Sequence, residues 1–275
     1  MWFAISPLGP VSPIKTDRTY GTNATHDFTM PLPLVIAHRG NSSAAPENTL
    51  SAFRSALRLG VDGVEFDYHH SADGVPVVFH DKTLDRTTNA RTLWRRADVG
   101  IRNCSLAQLQ ELDYGGWFGG DNNFAGEPLA TLDSTLDLIC DAGALAVIER
   151  KSGDAETLVK LLNGKRLIDR VVVMAFDWAF LADCYRQNPA VRLVALGDGL
   201  LRPARLDEIG LTPAKIVGWD QRNLDSGAIS AIHGRGWQAW TWTVDQPARI
   251  RELTVWGIDA ITSNDPARVL EVLAE

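Results

Sequence analysis

The chain has 275 residues, an apolar fraction of 45% and a formal net charge of −7. That is ample for a sizeable core in one large domain or two small ones. The acidic balance argues against a nucleic-acid-binding surface, which needs a basic patch, and no apolar run reaches the roughly 18 residues of a spanning helix.

Residues 1–33 read as a flexible arm, interrupted by prolines at 7, 10 and 13 and lacking the basic-then-apolar order of a signal peptide. Residues 34–275 read as one domain, with no Gly/Pro/Ser linker to divide them. Cys104, Cys140 and Cys184 lie far apart with no CxxC spacing. They are expected to be reduced, buried thiols in a reducing compartment, which points to the cytoplasm.

A β-rich run over 34–37 ends in His38-Arg39-Gly40, and a small-residue loop follows. Leu50, Phe53, Ala56 and Leu57 then share one helical face, with Asn48 placed as N-cap and Gly60 as the stop. The next strand reads GVEFDYH. Glu65 and Asp67 project from one face of it, and Val64, Phe66 and Tyr68 from the other. Two adjacent carboxylates on an apolar strand fit either a solvent-facing edge or a hard-cation site, where a divalent ion removes their repulsion. Asp73-Gly74 is a hairpin turn signal, so the chain returns to His80-Asp81 and brings His80 near the level of Asp67.

Residues 82–128 form a small irregular insertion. It holds one short helix near 105–112 and a Gly/Asn-rich segment with Trp117, Phe118 and Phe124. Beyond it, helices over 132–141, 155–162, 179–187, 226–235, 247–255 and 266–274 alternate with strands over 145–149, 171–176, 191–196, 215–219, 238–244 and 259–262. An irregular segment is expected before 215. The alternation predicts an α/β protein with a parallel sheet, and about eight units predict a single (β/α)8 TIM barrel. No GxGxxG follows the first strand, so a dinucleotide crevice has no support. Nine candidate strands are one too many, so the hairpin's second arm or one short late run lies outside the barrel wall.

In such barrels chemistry gathers at the C-terminal strand ends. Those ends carry His38 and Arg39, Glu65 and Asp67, His80 and Asp81, Glu149 and Lys151, and Trp242. Each has a plain structural explanation by itself: a satisfied histidine, a Glu-x-Lys ion pair, a packed tryptophan. Gathered at one mouth they point to metal-assisted attack on an anionic substrate. Three carboxylates suit a hard cation, Mg²⁺ or Ca²⁺. Arg39 and Lys151 suit phosphate oxygens, and His38 and His80 can divide general acid and base roles.

The ordered runs HRGNSSAAPENTLSAF, VEFDYHHSADGVPVVFHDKTLDRTT, VIERK, WTVD and GIDAITSNDP resemble the glycerophosphodiester phosphodiesterase family from Leu34 onward. The resemblance implies a barrel related to phosphatidylinositol-specific phospholipase C. It also implies metal-dependent hydrolysis of a small-molecule glycerophosphodiester to an alcohol and sn-glycerol 3-phosphate. By position it makes His38 and His80 the acid–base pair, Arg39 and Lys151 the phosphate cations, and Glu65, Asp67 and Glu149 the metal ligands. Glu47 is then a partner of Arg39, Asn48 mainly a helix cap, and Trp242 a pocket residue. Asp245 replaces a usual asparagine, which puts a polar substrate contact there in doubt. His69 lies on the carboxylate face but toward the turn, and His70 and His233 read as surface residues. Two rivals stay open: a phospholipase D-like lipid phosphodiesterase, whose relatives resemble secreted, disulfide-containing proteins, and a catalytically inactive binding barrel.

Overall fold

Each strand of the parallel sheet except the hairpin return is followed by a segment long enough to cross back over the sheet, so the strands pair parallel. In the computed structural model, which describes residues 19–20, 30–119 and 123–275, the strands are β1 (Leu34–His38), β2 (Gly63–His70), β3 (Pro76–Val78), β4 (Leu145–Arg150), β5 (Val171–Ala175), β6 (Arg192–Gly197), β7 (Ile216–Asp220), β8 (Gln238–Trp242) and β9 (Ala260–Ser263). All but β3 pair parallel in sequence order, and β9 pairs β1 through Ala260↔Leu34 to Ser263↔Ala37, which closes an eight-stranded (β/α)8 TIM barrel. Most of the arm expected over 1–33 lies outside the described residues. Within it, Thr19–Tyr20 pairs antiparallel with Met30–Pro31.

Burial follows the strand period. Ile36, Val147, Met174, Leu196 and Trp240 fill the barrel interior. Val35, Val64, Phe66, Ile148 and Val173 face outward into the layer beneath the helices. Both faces are buried, so the strands read as near-continuous apolar runs. The three cysteines are buried free thiols, and among the described residues no helix is long and apolar enough to cross a membrane.

The surplus ninth strand is β3. Among the strands it pairs antiparallel with β2, Tyr68↔Val78 and His69↔Val77, with a further bridge from Val77 to Thr131, and so stands beside the wall. The Phe79 amide donates to the Asp67 carbonyl at 3.0 Å, which puts Phe79, one residue short of His80, level with Asp67. Val77 and Phe79 then anchor a separate small core with Leu84, Ile101, Leu109 and Tyr114. The insertion therefore packs on the hairpin that carries His80. It holds two short α-helices rather than one, Ala90–Leu93 and Leu106–Leu109; the second is shorter than expected, with Ser105 and Gln108 forming a capping box.

Two local expectations are corrected. The stretch before β7 is not irregular: it holds helix Pro203–Gly210. Pro203 reads as a breaker but sits in the first turn, where the missing N–H has no intrahelical partner to lose. Asn48 is not the N-cap of helix Leu50–Arg58. Thr49 is, accepting from the Ala52 amide, because Asn48 is committed to Asp67.

Gly40, after the His38-Arg39 pair, has φ +84, and an added Cβ would lie 2.7 Å from the Ala52 carbonyl carbon. Gly40→Ala therefore combines a left-handed penalty with overpacking against helix Leu50–Arg58. It is expected to lower the unfolding free energy by roughly 2–4 kcal/mol in urea titration.

Candidate active site

Strand register assembles the mouth. β1 places His38 opposite Glu65, and β4 places Glu149 opposite Asp67. Paired residues share a face, so residues distant in sequence project together above the apolar interior. One oxygen each from Glu65, Asp67 and Glu149 lie within 4.8 Å of one another. Glu65 and Asp67 are buried.

Cations surround the cluster. Lys151, one strand period beyond Glu149, puts Nζ 3.1 Å from Asp67 Oδ1 and pairs with Glu149. Arg39 Nε lies 3.2 Å from Asp67 Oδ2, and its other nitrogen donates to Glu47 at 2.8 Å. The Arg39 amide donates to Glu65 Oε2 at 2.9 Å. Arg39 and Asn48 both adopt left-handed backbone, φ +57 and +59. The Asn48 amide group donates to Asp67 Oδ2 at 2.8 Å, and its oxygen accepts the Asp67 N–H at 3.1 Å.

Electrostatics separate the three carboxyls. Burial alone would raise Asp67, but Lys151 and Arg39 hold it down to about 2. Burial, then the Asp67 and Glu149 charges, push Glu65 well above the ordinary range. Burial and Asp67 raise Glu149 to about 7 despite Lys151. Glu65 Oε1 is buried with no hydrogen-bond partner. An all-oxygen donor set with that orphaned buried oxygen fits a hard divalent cation.

The two histidines have different partners. His38 Nδ1 lies 2.7 Å from the Asn264 amide oxygen, and Nε2 is 3.9 Å from Glu65 Oε2. Burial and Arg39 lower His38 to about 4. His80 Nδ1 meets Asp81 Oδ1 at 2.6 Å. Burial lowers His80 as well, opposed by Asp67 and by Asp81. Arg86 grips both Asp81, at 2.6 Å, and Glu47, at 2.7 Å.

The structure thus brings His38, Arg39, Glu47, Glu65, Asp67, Glu149 and Lys151 together, with His80 on the neighbouring hairpin arm. Trp242 stands at the end of β8, its indole N–H donating to the Gly218 carbonyl at 3.2 Å and its ring edge-on to Phe176. His69 is occupied at both nitrogens, by Ser152 at 3.0 Å and the His80 carbonyl at 3.1 Å, and so holds the hairpin. His70 is not a surface residue: it is half-buried against Gly153. Arg86, Asn264 and the role of Asn48 as a partner of Asp67 were not singled out from the sequence. The left-handed backbone at Asn48 and the closing β9–β1 pairing are what create those contacts.

Comparison with known proteins follows this geometry. Residues 38–268 match the model of the glycerophosphoryl diester phosphodiesterase family. The chain is 32% identical over 251 residues to a glycerophosphodiester phosphodiesterase of Caldanaerobacter subterraneus subsp. tengcongensis, covering 87% of this chain and 97% of that protein. Among solved structures it resembles an Oleispira antarctica phosphodiesterase in complex with the product sn-glycerol-3-phosphate. That match has 27% identity and a TM-score of 0.77, and covers 89% of this chain and 98% of the other. A glycerophosphodiester phosphodiesterase from Agrobacterium tumefaciens str. C58 matches with 27% identity and a TM-score of 0.74, covering 87% and 100%.

Proposed function

The chain belongs to the glycerophosphoryl diester phosphodiesterase family, and from this we propose that it hydrolyses glycerophosphodiesters to an alcohol and sn-glycerol 3-phosphate with a divalent metal ion. One observation carries the reading: three buried or nearly buried carboxylates from adjacent strands converge within 4.8 Å, flanked by Arg39 and Lys151. The product held by the Oleispira neighbour supports the substrate class.

Glu65, Asp67 and Glu149 would hold the ion, Mg²⁺ or Ca²⁺, which when bound supplies charge neutralisation at the phosphodiester. Arg39 and Lys151 face the same place and stabilise the charge that grows on the phosphoryl oxygens. Glu47 keeps Arg39 aimed, and Arg86 ties Glu47 to Asp81. His38, uncharged at neutral pH, accepts the proton of the attacking hydroxyl at Nε2. His80, oriented by its hydrogen bond to Asp81, donates one to the leaving oxygen. Trp242 and Phe176 line one side of the mouth. The unpaired thiols fit a reducing compartment, the cytoplasm.

EDTA is expected to abolish release of sn-glycerol 3-phosphate from glycerophosphocholine, and Mg²⁺ or Ca²⁺ to restore it. Retained activity in EDTA would overturn the metal assignment. Cleavage of micellar sphingomyelin in preference to the soluble diester would favour a phospholipase D-like enzyme, and no hydrolysis of either an idle barrel.

A further inference from the structure

We propose that Asp245 is a positioning residue that fixes the tautomer of His38 through Asn264. The proposal rests on the reading above, in which His38 receives a proton at Nε2. β9 pairs with β1 at Ser263↔Ala37, so Asn264 falls beside His38 at the next register position. Asp245 follows β8 closely and turns its carboxylate toward the same place.

A carboxylate only accepts hydrogen bonds. Asp245 Oδ1 takes the Ser263 hydroxyl at 2.8 Å and the Asn264 backbone N–H at 2.9 Å, and Oδ2 takes the Asn264 side-chain N–H at 2.8 Å. An asparagine amide can ordinarily be turned end for end, because its oxygen and nitrogen are nearly the same size. Here only the nitrogen end can face Asp245. The oxygen end is thereby forced toward His38, 2.7 Å from Nδ1. An amide oxygen accepts and never donates, so Nδ1 must carry the hydrogen. Nε2 is left with a bare lone pair, 3.9 Å from Glu65 Oε2 and facing the mouth. Ser42 adds to the brace, its hydroxyl 2.8 Å from the His38 carbonyl oxygen and 3.2 Å from Asn264 Oδ1. The carboxylate at 245, where the resembling family has an asparagine, is thus accounted for without contact to substrate.

The same logic specifies its own rescue. Asp245→Asn removes the acceptor-only group, lets the Asn264 amide turn over, and permits the wrong tautomer. The exchanged pair, Asp245→Asn with Asn264→Asp, restores the pattern with the carboxylate moved one step: position 264 accepts from His38 Nδ1–H, and the amide at 245 donates to it.

The test combines histidine ¹⁵N chemical shifts of the Mg²⁺-loaded protein, at a pH of about 8 where an ordinary imidazole is neutral, with steady-state kinetics on glycerophosphocholine. The wild type is expected to show His38 as the Nδ1–H form. Asp245→Asn is expected to show mixed tautomers and a kcat lower by about 10- to 100-fold, a usual cost of losing such a supporting partner, with KM changed less than about threefold. The exchanged double variant is expected to recover both the Nδ1–H form and most of kcat. An Nε2–H wild type, an unaffected Asp245→Asn, or a folded double variant without recovery would each overturn the proposal. Should Asp245→Asn fail to fold, the wild-type spectrum and the double variant still decide. If the wild type leaves glycerophosphocholine intact, the functional reading fails, while the tautomer measurement stands apart from it.

Discussion

Replacing His80 by alanine is expected to lower kcat on glycerophosphocholine about 10²- to 10⁴-fold at saturating metal. The melting temperature is expected to move by only a few degrees, that is, by about 1 kcal/mol or less. The separation of the two effects follows from the contacts. The His80 side chain is 31% exposed at the mouth and makes its close hydrogen bond to Asp81. Removing the ring does not strand that carboxylate, because Arg86 remains on both of its oxygens. The backbone of the hairpin arm stays tied, since His69 holds the His80 carbonyl and Asp67 receives the Phe79 amide. The substitution therefore deletes the proposed proton donor and little else. Near-normal turnover by a folded His80→Ala protein would refute the acid–base scheme.

Glu65→Gln is expected to do two opposite things. It should reduce activity by at least about 10²-fold, since one of the three proposed metal-binding carboxylates is lost. It should also make the metal-free protein more stable, by about 1–2 kcal/mol, because the folded state penalises ionisation of the buried, crowded Glu65 carboxyl while the unfolded state does not, and glutamine has no charge to lose. The Arg39 amide keeps its acceptor, as the glutamine oxygen can replace Glu65 Oε2. Metal reverses the order. At about 100 times its dissociation constant a divalent ion stabilises the wild type by about 2.7 kcal/mol, and it should stabilise the glutamine variant far less. The pH dependence has a definite sign. Burial and Asp67 raise the folded Glu149 to about 7 from an ordinary value of 4.5. Between those values folded Glu149 holds more protons than the unfolded form, so its own contribution to metal-free stability, read as the difference between wild type and Glu149→Gln, falls as pH rises from about 4.5 to about 7. His38, lowered to about 4, contributes in the opposite sense between about 4 and 6.5. Thermal melts in EDTA and in Mg²⁺ across that range check both claims. A metal-free Glu65→Gln protein that is less stable than wild type would count against the crowded-carboxylate picture.

Much of the mouth was legible because strands have a short period and a strict one. Glu65 and Asp67 had to share a face, and Glu149 with Lys151 likewise. Once the alternation of strands and helices implied a barrel, each strand end had a known destination. What sequence could not carry was pairing across long separations. His38 and Asn264 lie 226 positions apart and meet only because β9 closes on β1. Arg86 reaches Glu47 across 39 positions through the way the insertion packs on the hairpin. Local signals also misled where tertiary contacts outbid them. Asn48 has the chemistry of an N-cap, yet the buried Asp67 takes its side chain and Thr49 caps the helix. Pro203 has the look of a loop residue, yet it starts a helix.

The most direct test is diffraction from crystals of the protein grown with Mg²⁺ and, separately, with Ca²⁺. One ion is expected among the carboxylates of Glu65, Asp67 and Glu149, with oxygen distances of about 2.0–2.1 Å for Mg²⁺ or about 2.3–2.6 Å for Ca²⁺, and Lys151 withdrawn from Glu149. A fully active protein whose ion lies elsewhere, with those three carboxylates still paired to Arg39 and Lys151, would contradict the account.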